Sequence, residues 1–172
     1  MNLNDTDFRL FAVPASFAQD RATLDARWKE LQREAHPDRF AARGAPAQRV
    51  AMQWSVRINE AYQRLRDPVR RATYLCELNG APIHAEHNTA MPADFLMQQM
   101  AWREALDDAQ DGAALDGLRS EVEAARARAL ASLDRLIDEK GDFPAAARQV
   151  RALMFIERFA QDIEAKSDQW EG

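Results

Sequence analysis

The chain has 172 residues, 47% of them hydrophobic, with six glycines, seven prolines, one cysteine and a formal charge of -5. That length suits one domain or two small ones with a real core, and the lone Cys76 excludes both an internal disulfide and a cysteine-based zinc site. Residues 1–81 carry 13 basic and 10 acidic side chains and residues 82–172 carry 10 and 18, so the halves stand at +3 and -8, a balance that argues against nucleic acid as a partner.

Abundant Ala, Leu, Arg, Glu and Gln, with no long run of alternating apolar residues, predicts an all-helical protein. The start, Met1-Asn2-Leu3-Asn4-Asp5, has neither the basic opening nor the apolar run of a signal peptide, and no apolar stretch approaches membrane-spanning length. The expectation is a soluble cytoplasmic protein with no membrane partner.

In chain order, Phe8 to Phe11 reads as a short helical anchor ending near Pro14, its aromatics packed into a larger helical hairpin. Asp20 stands where an N-cap belongs, and Leu24, Trp28, Leu31 and Ala35 fall within about 60° of one another on a helical wheel. Lys29 and Arg33 lie on the far side, diluted by Asp25, Glu30 and Glu34. Pro37 disfavours helix in the residue before it, so the helix ends at about His36 and His36-Pro37-Asp38 forms a corner. Phe40 to Pro46, with Gly44 and Pro46, reads as a loop. Val50, Trp54, Ile58, Ala61 and Leu65 then mark the inner face of a second long helix.

Spacing leaves the corner open to several readings. His36 and Asp38 could act as an oriented base, although Pro37 makes the turn stiff and no nucleophile is identifiable nearby. As a purely structural turn, His36 would cap the last helical carbonyls and Asp38 would bond loop amides.

Two helices joined by a loop that opens with His36-Pro37-Asp38 resemble the J-domain of DnaJ-type co-chaperones. Phe8, Leu10 and Phe11 resemble that domain's first-helix anchor, and Ile58-Asn59-Glu60-Ala61-Tyr62 its third-helix pattern. The resemblance implies a rigid polar element, His36, Pro37, Asp38 and Arg39 with Lys29 and Arg33 beside it, that docks on an HscA/DnaK-type ATPase chaperone and promotes ATP hydrolysis. On this reading the protein is not itself an enzyme and needs no cofactor.

Asp67-Pro68 ends the second long helix and starts a short one, Val69 to Leu78, with Ala72, Leu75 and Leu78 near one face. Gly80, Pro82 and the run His84 to Asn88 read as a connector; His84 and His87 lack the further ligands that a metal needs and are read as solvated. A helix starting near Pro92 has two apolar stripes, Phe95, Gln99, Trp102 and Leu106 on one side and Leu96, Met97 and Met100 about 140° away. Two later helices, about Asp116 to Lys140 and Pro144 to Lys166, complete a bundle that can cover one of the two stripes, separated by the stop and restart signal Gly141-Asp142-Phe143-Pro144. The remaining stripe is either buried by another packing angle or left for a partner, a role for which the adaptable methionine is suited. Ser167 to Gly172 are expected to fray, and the acidic residues at 107–111 and 134–142 default to solvation.

A J-domain followed by a short helical tail is similar to the HscB family of iron-sulfur assembly co-chaperones, on the strength of Phe95 to Met100 and Val150 to Phe159. Neither a Gly/Phe linker nor a cysteine-rich region of general DnaJ proteins is present, and the lack of the N-terminal CxxC extension of some relatives suits the bacterial form. The resemblance implies a J-domain at 1–79, a linker at 80–91 and an antiparallel three-helix bundle at 92–172, arranged as an L or an elongated body. It further implies that Leu96, Met97, Met100, Glu104 and Phe155 bind an IscU-type iron-sulfur scaffold; Ala101 stands where better-known relatives have an acidic residue. A general folding co-chaperone working with a DnaK-type chaperone is the alternative.

Overall fold

Short acidic and hydroxyl side chains set most of the helix starts. In the computed structural model, which describes residues 2–84 and 86–171, seven α-helices follow one another with no strand among the described residues: α1 (Asp7–Leu10), α2 (Arg21–Ala35), α3 (Ala45–Arg66), α4 (Pro68–Leu78), α5 (Phe95–Asp108), α6 (Gly112–Asp134) and α7 (Phe143–Glu171). Thr6 accepts from the Arg9 amide, Asp20 from Ala22, Asp67 from Val69, Asp111 from Ala114 and Asp142 from Ala145, each satisfying a donor that the first turn leaves free. Asp111 therefore has a structural use that default solvation did not give it, and Asp142 caps the restart that its position announces. The cap at Asp111 also starts α6 at Gly112, one turn before the expected Asp116.

The chain divides into two compact units between Leu75 and Cys76, inside α4. In the first, α2 and α3 form the hairpin, and its interior holds Phe8, Phe11, Leu24, Leu31, Ile58, Leu65 and Leu75. Tyr62 lies between the rings of Phe11 and Trp28 and donates to Asp25 at 2.5 Å. The buried carboxylate of Asp7 is held by Arg64 at 2.5 and 3.0 Å and by Arg57 at 2.8 Å. The Asp7 amide donates to the Tyr74 hydroxyl, which ties α1 to α4.

Several expectations are corrected here. Of the loop expected from Phe40 to Pro46, Phe40 to Arg43 belong to a 3-10 helix (Pro37–Arg43) and Ala45 and Pro46 open α3; the 3-10 helix is started by the Arg39 amide bonding to His36 O and by the fixed φ of Pro37. Gly44 then takes φ 93°, a conformation that a side chain would strain, and α3 begins. Val50 is exposed rather than buried, because the 3-10 segment leaves a groove over this end of α3. Leu78, at the last turn of α4, is also exposed.

In the second unit, Arg119 pairs with Glu164 and Arg126 with Glu157, so α6 and α7 run antiparallel. Phe95 meets Phe155 and Trp102 meets Phe159, so α5 runs alongside α7 in the same direction. Buried alanines at 125, 129, 146, 147 and 152 add small side chains to a core of Leu118, Val122, Leu133, Val150 and Leu153. The helix expected at Pro92 begins at Phe95, where the Phe95 amide bonds Pro92 O. α6 passes into one π turn (Arg135–Glu139), closed by the Lys140 amide on Arg135 O. The expected fraying is contradicted for Ser167 to Glu171, which continue α7, with Lys166 bonding Leu106 O and sitting over the Trp170 ring; Gly172, the last residue of that expectation, lies outside the described residues. Residues of the expected linker pack as well, with Ile83 buried and its carbonyl, like that of Ala90, bonded to the Arg151 guanidinium.

Candidate functional site

Two surfaces gather the residues singled out from the sequence. At the hairpin corner, α2 stops at Ala35 and His36 turns to ψ 129°, the extended backbone that the following proline imposes. Its Nδ1 accepts from the Asp38 amide at 3.2 Å and lies 3.6 Å from Asp38 Oδ2. The two side chains are 57% and 92% exposed, so both functional groups stand in solvent on a backbone stiffened by Pro37 and the 3-10 turn. The structural-turn reading assigned capping of α2 to His36, and this is corrected. Arg39 Nη1 bonds Arg33 O and Ser55 Oγ bonds Ala35 O, each at 3.3 Å, while His36 caps the 3-10 helix instead. Nor does the Asp38 carboxylate bond a loop amide among the described residues. Arg39 is thus committed in part to the fold.

Lys29 and Arg33, one turn apart on α2, are exposed, and among the described residues neither forms an ion pair. Two of the three acids expected to dilute them are occupied: Asp25 by Tyr62 and Arg21, Glu30 by Arg27. The Tyr62 hydroxyl, then Arg21, holds the Asp25 carboxyl below its usual range. The result is a positive strip leading to the corner. Beside it Phe40, Ala47, Val50 and Trp54 line an apolar groove of about 420 Å³. Among the described residues no hydroxyl or thiol bonds to His36.

The second surface is on α5. Its inner stripe is packed, with Trp102 against Phe159 and Phe95 against both Trp102 and Phe155. The outer stripe is left to solvent: Leu96, Met97 and Met100 are 62%, 73% and 62% exposed. Glu104 continues that face one turn on and is exposed, as is Ala101. Phe155, on α7, is only 9% exposed; its ring stacks on Phe159, meets Phe95 edge-on and carries the Arg103 guanidinium at 5.2 Å. It supports the α5 surface from beneath and offers a partner only an edge.

Sequence reasoning missed Arg151, which is buried with no carboxylate beside it among the described residues. Its spacing of four from both Ala147 and Phe155 places it on the inner face of α7, a signal the helical wheel contains. Among the described residues no group of three or more His, Cys, Asp and Glu is placed to hold a metal, and no helix is long and apolar enough to cross a membrane.

Residues 91–164 match the model of the HSCB C-terminal oligomerisation domain. The chain is 51% identical over 162 residues to a co-chaperone protein HscB homolog of Bordetella parapertussis, covering 94% of this chain and 95% of that one. Among solved structures it is similar to the chaperone HscB from Vibrio cholerae (35% identity, TM-score 0.81, 96% and 99% of the two chains). It is also similar to the human co-chaperone protein HscB (26% identity, TM-score 0.85, 97% and 84%).

Proposed function

The chain belongs to the HscB family of co-chaperones, and from that premise we propose that it couples an IscU-type iron-sulfur scaffold to an HscA/DnaK-type ATPase chaperone in the cytoplasm. The first unit acts as the J-domain. His36 and Asp38 supply two polar groups fixed in relative position by Pro37, and Lys29, Arg33 and Arg39 supply positive charge that draws an acidic chaperone surface to them. Because the groups are preorganised, docking loses little conformational entropy. The chemistry of ATP hydrolysis belongs to the chaperone; this chain supplies the stimulus.

The bundle at 92–172, joined through 80–91, holds the scaffold. The observation that carries this reading is the exposed stripe Leu96, Met97 and Met100 on a helix whose opposite side already packs Trp102 and Phe95 against α7. An apolar strip of this kind left open on a bundle is a protein-docking surface. Glu104 and the edge of Phe155 lie at its margins. One chain holding both partners raises the effective concentration of scaffold at the chaperone, and hydrolysis triggered at that moment couples capture to a tighter grip.

Calorimetric titration of the full chain with an IscU-type scaffold tests the reading. Met97→Asp is expected to abolish binding with the thermal unfolding curve unchanged. Unaltered binding would refute the docking assignment, and equal protection of an unrelated aggregating protein would move the chain to the general folding co-chaperones.

A further inference from the structure

Beside Phe155, in the second unit, is a small cavity of about 130 Å³ whose wall includes Asn88, Thr89, Met91, Arg151, Phe155 and Arg158. Arg151 is 95% buried by its 5% exposure. Its Nε and Nη1 bond the carbonyls of Ile83 and Ala90 at 3.0 and 2.9 Å, and its Nη2 has no hydrogen-bond partner among the described residues. Two carbonyls satisfy hydrogens but do not neutralise the charge, and a buried guanidinium without an anion is unfavourable. Burial, followed by the nearby Arg148, holds its pKa below the ordinary arginine value.

Arg158, one cavity wall away, is exposed and forms no ion pair among the described residues; the same holds for Arg103 over the Phe155 ring. Most bases of this unit form no ion pair among the described residues, but Arg151 differs from the others in being buried. On the α6–α7 face, Arg119 pairs with Glu164 and Asp116, and Arg126 with Glu157. In a half of the chain that carries 18 acids against 10 bases, three arginines with no ion pair among the described residues gather around the Phe155 ring, which meets Phe95 of α5 edge-on. The cavity is large enough for a carboxylate, and Asn88 and Thr89 add polar atoms to its wall.

We propose that this cavity, walled by Arg151 and Arg158, is a seat for an Asp or Glu side chain of the protein that docks on the α5 stripe. The proposal rests on the reading of α5 as the scaffold-docking helix. It adds a polar anchor that fixes the orientation of the docked protein, which an apolar strip alone does not. A free small carboxylate has the same chemistry, but a seat bordering Phe155 at the margin of an apolar docking surface favours the side chain of a bound protein.

Arg151 also holds the connector, so Arg158 carries the test. Scaffold affinity of the full chain is measured for Arg158→Glu and for Arg135→Glu, an equal charge change at the π turn. The first is expected to weaken binding about tenfold relative to the second and to flatten its salt dependence, with circular dichroism unchanged. Equal affinities for the two variants, with binding abolished by Met97→Asp, would overturn the carboxylate seat and leave the docking helix standing. If Met97→Asp also binds normally, both fail. Sodium acetate titrated into the full chain gives the other arm. Acetate that competes with the scaffold supports the seat, whereas acetate that perturbs the Arg158 side-chain resonances without weakening scaffold binding would make it a small-anion site only and overturn the proposal.

Discussion

Asp7→Asn tests how the first unit is held together. Asp7 is fully buried, and its two oxygens meet Arg64 at 2.5 and 3.0 Å and Arg57 at 2.8 Å. An amide in place of the carboxylate keeps the size but leaves two guanidinium groups facing a neutral neighbour. Removing one partner of a buried pair costs about 3–5 kcal/mol. The lower end applies, because the Arg64 side chain is 36% exposed and recovers some hydration, so the loss is about 3 kcal/mol. That corresponds to a fall in melting temperature of roughly 12 °C or more for a unit of this size. Hydrogen exchange on the full chain localises the effect: amides of α2 and α3 are expected to lose about 100-fold of their protection, with α6 and α7 unaffected. A loss below about 1 kcal/mol would refute the claim that this triad clamps α1 to the hairpin.

Other outcomes follow from burial and exposure. Met97→Ala should leave stability within about 0.5 kcal/mol of the original, whereas Phe155→Ala should cost about 3 kcal/mol because the ring packs on Phe95 and Phe159; urea unfolding separates the two. Burial pushes the Cys76 thiol up to about 11, so a thiol reagent at pH 8 should leave the folded chain unlabelled and react readily in urea. The raised folded-state pKa also means that stability is fully present below pH 9 and falls as pH rises through 11, which a Cys76→Ala chain would not show. The Asp134 carboxyl, although exposed, is pushed up by slight desolvation and then by its hydrogen bond with Asp138 one turn on. Asp134→Asn should therefore stabilise the chain by about 0.3 kcal/mol at pH 7, an advantage that disappears at pH 3, where the carboxyl is protonated.

Much of the helical order was legible because it rests on local chemistry. Asp20, Asp67 and Asp142 act as the caps their positions announce, and Pro37 ends α2 where expected. The two stripes of α5 were readable from a wheel, but which would be covered was not, since that depends on where α7 packs; Trp102 against Phe159 decides it. What escaped is non-local. Arg57 and Arg64 reach Asp7 across fifty residues or more, and Arg151 reaches the connector across more than sixty. Val50 kept the helical period yet faces solvent, because the segment opposite is a tight 3-10 turn that does not cover it. Periodicity names the face of a helix without naming what lies against it.

At the corner, the fold frees the groups it presents. Capping of α2 by Arg39 and Ser55 relieves His36 of that duty, and with Asp25 and Glu30 paired elsewhere Lys29 and Arg33 form no ion pair among the described residues. A co-chaperone that works by contact needs both features: charges available for attraction and polar groups held in place.

The most direct measurement is steady-state ATP hydrolysis by an HscA-type chaperone with this protein added, with and without an IscU-type scaffold, repeated with His36→Gln. Stimulation that grows with scaffold and is lost in the variant, at unchanged circular dichroism, is the predicted result. Stimulation that survives His36→Gln, or that ignores the scaffold, would contradict the account.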